Sequence, residues 1–129
     1  AQKAAADYLQ RAAQEPGAVQ TTSGLVFRTL TPGTGAQPKA SDVVRVHYHG
    51  TLPGGKIFDS SVDRGEPAEF RLSQVIPCWT EGVQRMHVGE KAELVCPSAI
   101  AYGDRGAGGV IPPGATLVFE VELLAIKNP

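Results

Sequence analysis

The clearest alternation of apolar and polar positions lies at residues 43–51, VVRVHYHGT. Val44, Val46 and Tyr48 fall on one face of an extended chain, and Arg45, His47 and His49 on the other. Residues 116–126, TLVFEVELLAI, repeat the pattern, with Leu117, Phe119, Val121 and Leu123 on one face. Further strands are predicted over residues 24–31 (GLVFRTLT), 56–60 (KIFDS) and 91–96 (KAELVC), with a shorter one marked by Phe70 and Leu72. Pro32-Gly33-Thr34-Gly35, Pro53-Gly54-Gly55 and Val88-Gly89-Glu90 read as turns. Residues 36–42 and the charged segment 61–67 read as loops. Residues 97–113 are rich in glycine and proline, and a loop of that length argues for function.

Two helices are predicted. Over residues 2–14, Ala5, Tyr8, Leu9, Ala12 and Ala13 share a face until Glu15-Pro16-Gly17 ends the pattern. This stripe is mostly alanine, and a lone helix of that length is marginal in water. The reading we favour is the tail of a longer helix; a frayed appendage is the other. The second helix occupies VIPCWTEGV, residues 75–83. Pro77 suits its first position, where a missing N–H loses no partner. The other early N–H groups have no partner within a helix, so the region of Ile76 leaves a donor free to meet a ligand. Trp79, the single tryptophan, is placed to floor a cavity, with Val83 one turn on supporting it. Strands dominate and hairpin-type turns join them. That pattern implies an α+β fold, an antiparallel sheet with one helix on its apolar face.

The chain has 129 residues, 42% of them apolar, which suits one domain with a real core. Net charge is −1 and the pI is near 6.3, with no basic patch, so nucleic acid is not an expected partner. The apolar runs are too short for a membrane span. No secretory leader is read. The chain opens on Ala1, from which we expect a trimmed piece of a longer protein. Cys78 and Cys96 lack metal spacing; they either pair in an oxidising compartment or stay reduced in the core.

The chemistry-bearing residues are aromatic. Tyr48, Phe58 and Tyr102 flank loops, and with Val75, Ile76, Trp79 and Phe119 they are candidates to line one pocket. Aromatic stripes are more often plain core, but the tyrosines carry polar tips that seek partners. No nucleophile with a base is evident: Ser60 and Ser61 lack the nucleophile-elbow glycines. His47 and His49 have no further ligands at metal spacing and read as solvated strand-face residues. His87 reads as a turn residue. The glycines of residues 103–109 do not make a phosphate loop. Neither metal nor cofactor is expected. Alternation sends Asp59 to the side opposite Phe58 unless the strand bends, so its default is a surface carboxylate.

Three segments, VHYHGTLPGGKIFDSS, GEPAEFRLSQVIPCWTEGVQRM and AYGDRGAGGVIPPGATLVFEVELL, together resemble the FKBP-type peptidyl-prolyl isomerases across roughly residues 24–127. The leading helix resembles the connecting helix of the bacterial Mip-like and FkpA-like subgroup. The resemblance divides the chain into the end of that helix (1–16) and an isomerase domain (17–129). It implies an antiparallel half-barrel wrapped around one short helix. It makes Trp79 the floor, and Tyr48, Phe58, Phe70, Val75, Ile76 and Phe119 the walls, of a site for proline peptides and macrolides. Tyr102 and the Ile76 N–H become hydrogen-bond donors, Asp59 turns into the pocket beside Tyr48, and Val110 and Ile111 lie over the mouth.

What the resemblance implies in function is peptidyl-prolyl cis-trans isomerisation of unfolded proteins, with FK506- or rapamycin-type inhibition. A non-catalytic chaperone or binding module on the same fold is the alternative. It also implies a homodimer through an N-terminal domain absent from this sequence, and a bacterial periplasm or cell envelope, with the cytoplasm as the alternative. The chain departs from the family pattern in three ways. Ala68 replaces a usual aromatic wall and is expected to widen the pocket. Ala107 stands where some members carry histidine in the mouth loop. Cys78 and Cys96 flank Trp79, which opens the option of a disulfide.

Overall fold

Alternation and capping set the elements, and the computed structural model, which describes residues 2–106 and 111–127, shows where they meet. In chain order they are α1 (Gln2–Ala13), β1 (Ala18–Gln20), β2 (Val26–Thr31), β3 (Val43–Thr51), β4 (Ile57–Ser60), α2 (Ser61–Arg64), β5 (Ala68–Arg71), α3 (Pro77–Gln84), β6 (Lys91–Cys96) and β7 (Leu117–Lys127). Short 3₁₀ turns cover Leu72–Gln74, Ser98–Ile100 and Gly103–Arg105. The strands form one antiparallel sheet in the order β1-β2-β6-β7-β3-β4, with β5 also paired to β3. This is the curled sheet around a short helix that the resemblance implied.

The period-two pattern sorts side chains to two faces. Val44, Val46 and Tyr48 of β3 join Leu117, Phe119, Val121 and Leu123 of β7 in the main core. On β6, Leu94 and Cys96 point the same way. α3 closes this core, burying Cys78, Trp79, Gly82 and Val83. Gly82 permits the close fit: a Cβ there would come within 2.4 Å of a Leu94 methyl. The opposite face is partly covered. Val26, Val95 and Val118 form a second, smaller cluster against Tyr8, Leu9, Ala12 and Ala13 of α1. The N-terminal helix is therefore docked on the sheet and not frayed.

Three local expectations need correction. Residues 61–64, read as loop, are a helical turn. The Ser60 hydroxyl accepts the Asp63 N–H, and Gly65 closes the turn in the left-handed conformation. Such a cap satisfies a donor that otherwise has no partner. Residues 18–20 were not expected to be extended, yet β1 pairs with β2; three residues are too few to display a period. Leu72 is not in a strand; it begins the 3₁₀ turn after β5 and is fully buried. Within residues 97–113 the described part is turn-rich, with two of the three 3₁₀ turns.

Candidate active site

α3 presents the central ring. Pro77 is its first residue, Ile76 its extended N-cap. Two residues further, Trp79 is only 4% exposed. Three rings meet the indole edge to face: Tyr48 at 5.3 Å, Phe119 at 5.4 Å and Phe70 at 5.5 Å between centroids, all within 7° of perpendicular. Phe58 stands the same way against Phe119 at 5.4 Å. Aromatic rings prefer such geometry because a positive edge meets a negative face. Gly50 makes room for the last pair, since a Cβ there would strike the Phe58 ring at 2.6 Å.

These rings border a cavity of about 500 Å³, within the range of small-molecule sites. Its lining comprises Tyr48, Phe58, Asp59, Phe70, Val75, Ile76, Trp79, Tyr102 and Phe119, all anticipated from the sequence, together with Gln74, which was not. Ile111 is not among them. It is 7% exposed and packs in the main core. Val110 and Ala107 lie outside the described residues. Ala68 packs against the core and does not border the cavity, where Phe70 forms that side.

The strand does bend at Asp59. β3 pairs Gly50 with Asp59 and Thr51 with Ile57, leaving Phe58 as the extra residue of a bulge. A bulge breaks strict alternation, and both Phe58 and Asp59 therefore reach the cavity. The Tyr48 hydroxyl donates to Asp59 Oδ2 at 2.6 Å. Arg64, from α2, donates to Asp59 Oδ1 at 2.5 Å and to the Tyr48 oxygen at 3.1 Å. Its guanidinium also sits 5.7 Å from the centre of the Tyr48 ring. Buried Ser61 accepts the Tyr48 N–H at 2.7 Å and so holds the tyrosine's backbone in place. Sequence reasoning missed Arg64. The signal was Ser60-Ser61-Val62-Asp63, which fits a helix start and carries Arg64 back toward Asp59.

Partial burial works to raise the Asp59 carboxyl, but the hydrogen bonds from Tyr48 and Arg64 and the arginine's charge outweigh it. The carboxyl is held below its ordinary value of 3.8. Burial, then the Asp59 hydrogen bond, pushes the Tyr48 hydroxyl up. At neutral pH the site thus carries an ionised Asp59 beside a protonated Tyr48. Several donors are left over. The Ile76 N–H, the Tyr102 hydroxyl and the buried Trp79 indole N–H meet no acceptor among the described residues, and Tyr102 is 39% exposed. Behind the floor, Cys78 and Cys96 form a disulfide with their Cα atoms 5.8 Å apart, linking α3 to β6.

The family profile described as FKBP-type peptidyl-prolyl cis-trans isomerase matches residues 34–124. The chain belongs to this FKBP-type family. It is 58% identical over 128 residues to the FKBP-type isomerase FkpA of Aeromonas hydrophila, covering 99% of this chain and 47% of that protein. It is 56% identical over 119 residues to the FKBP-type 22 kDa isomerase of Escherichia coli K12, covering 92% and 58%. The chain thus spans about half the length of these FKBP-type relatives. Among solved structures, a peptidyl-prolyl cis-trans isomerase from Pseudomonas syringae pv. tomato superposes with TM-score 0.91 at 44% identity, covering 98% of this chain and 92% of that one. FkpA from Escherichia coli gives TM-score 0.91 at 48% identity, covering 98% and 62%.

Proposed function

We propose that this chain accelerates rotation about Xaa-Pro peptide bonds, seating the proline on the Trp79 ring. The observation that carries this reading is the cavity itself: a buried indole floor, edge-to-face walls, and one carboxylate already engaged by Tyr48 and Arg64. Peptide rotation faces a barrier of about 18–20 kcal/mol from the partial double bond. Uncatalysed prolyl isomerisation takes on the order of 10–100 s. No bond breaks, so the reaction asks for no nucleophile.

A planar amide is more charge-separated than a twisted one, so a dry, apolar site disfavours the planar ground state more. Removing water from an amide costs about 1–3 kcal/mol, and each 1.36 kcal/mol is about tenfold in rate. Desolvation therefore supplies roughly one to two decades. Further acceleration needs contacts stronger in the twisted state. The unengaged Ile76 N–H and Tyr102 hydroxyl are suited to hold the carbonyls that flank the rotating bond. In this reading Asp59 orients Tyr48 and contributes a fixed negative charge at the wall.

The same cavity is the proposed seat of FK506- and rapamycin-type macrolides, and the clients are proline-containing unfolded chains. The disulfide supports a periplasmic or cell-envelope setting, because such bonds persist in oxidising compartments. Dimerisation of the longer protein through a preceding domain belongs to the same proposal. The test is a protease-coupled assay on a proline tetrapeptide with and without a macrolide. Catalysis abolished by the macrolide is expected. Macrolide binding without catalysis would replace the isomerase by a binding module.

A further inference from the structure

The cavity has a neighbour. A shallow groove of about 600 Å³ runs along the solvent side of α3, and Val75 borders both. Pro77, Thr80, Glu81 and Gln84 form its helical wall at the i, i+3, i+4, i+7 spacing of one helix face; Ile100, in a 3₁₀ turn, lies on its border. Among the described residues Glu81 is the only charged one on that border. Its carboxylate accepts a hydrogen bond from the Ser23 hydroxyl. Among the described residues it pairs with no lysine or arginine.

We propose that this groove is an extended subsite for the polypeptide flanking the proline, and that Glu81 selects a lysine or arginine there. The inference rests on the isomerase reading of the cavity. A chain leaving the cavity over Val75 in extended form advances about 3.3 Å per residue. The side chain two or three positions from the proline then reaches Glu81. A long basic side chain matches the groove, because its methylenes lie on Pro77 and Ile100 while its charge meets the carboxylate. An exposed pair of this kind is worth about two- to fivefold in affinity, and less as salt rises.

The test uses eight-residue proline peptides carrying Lys, Gln or Glu at the second or third position on either side of the proline. Both kcat/KM and the Kd of fluorescently labelled peptides are measured at low and high salt. The expected result is a two- to fivefold preference for Lys over Glu on one flank, in KM and Kd, fading with salt. In Glu81→Gln the Lys-to-Glu ratio falls to about one, and in Glu81→Lys it inverts. Equal handling of the Lys and Glu peptides by the unaltered protein, or a ratio that survives Glu81→Gln, overturns the subsite. Failure to turn over any proline tetrapeptide overturns the isomerase reading instead, and the Kd ratios still decide the subsite.

Discussion

The two faces of the sheet are covered by helices of unequal quality. α3 brings an indole, a valine and a cysteine to the inner face, approaches so closely that Gly82 is required, and is joined covalently to β6. α1 lays Tyr8, Leu9, Ala12 and Ala13 over three valines on the outer face, and all four stay partly exposed. The difference teaches where rigidity is needed. A cavity beside a packed core must keep its walls from collapsing inward, so its floor is held by rings, a disulfide and tight helix packing. The clefts on the outer face hold only about 180 and 190 Å³, and a looser cover suffices there. The rest of that face is polar, with His47 opposite Glu122 and His49 opposite Glu120.

Breaking the inner face has the largest expected effect. Trp79→Ala removes the ring that three others abut, and should cost about 3–5 kcal/mol of stability as well as turnover. Thermal unfolding measures this, and an unchanged Tm would mean the indole is not the keystone of that core. Next is the disulfide. It closes a sequence separation of 18 residues, so Cys78→Ser with Cys96→Ser should lower stability by about 3 kcal/mol on the loop-entropy account. Urea titration of the double variant checks it. A loss no greater than that of an ordinary surface change would remove the staple from the comparison.

Tyr102→Phe deletes one hydroxyl from the mouth, and Asp59→Leu removes the carboxylate from the wall. Each should lower kcat/KM about three- to tenfold while the fold persists, the scale of one hydrogen bond. Unchanged rates on a tetrapeptide for both would dismiss their roles. On the outer face, Leu9→Ala should cost about 1 kcal/mol, because the side chain is only partly buried, and should leave turnover unaltered. A drop in turnover would show that the two faces are energetically joined.

The smallest effect is on pH dependence. The folded Asp59 carboxyl titrates below its ordinary 3.8, so its ionised form adds stability above that value. The contribution is lost as pH falls through the lower, folded value. Asp59 is 44% exposed, so solvent screening keeps the term modest. Urea unfolding of the native protein and of Asp59→Asn at pH 6 and pH 3 should show their stability gap narrowing at the lower pH.

The chain by itself determined the long strands, because a period of two in β3 and β7 is a local property of consecutive residues. It determined α3 as well, where Pro77 fits a first turn and Trp79 and Val83 share a face. Motif resemblance then extended this to the ring-lined site. Tertiary structure gave the reason for one placement that the resemblance had implied, that of Asp59, and decided three more. Asp59 faces the cavity because a bulge at Phe58 breaks the alternation. Arg64 joins Tyr48 and Asp59 because a capped turn carries it back. Cys78 and Cys96 pair because α3 crosses β6 at bonding distance. Ile111 is core because residues remote in sequence close around it. Periodicity records which way a side chain points along its own element. Which groups then meet depends on how separate elements pack, and that is a property of the assembled fold.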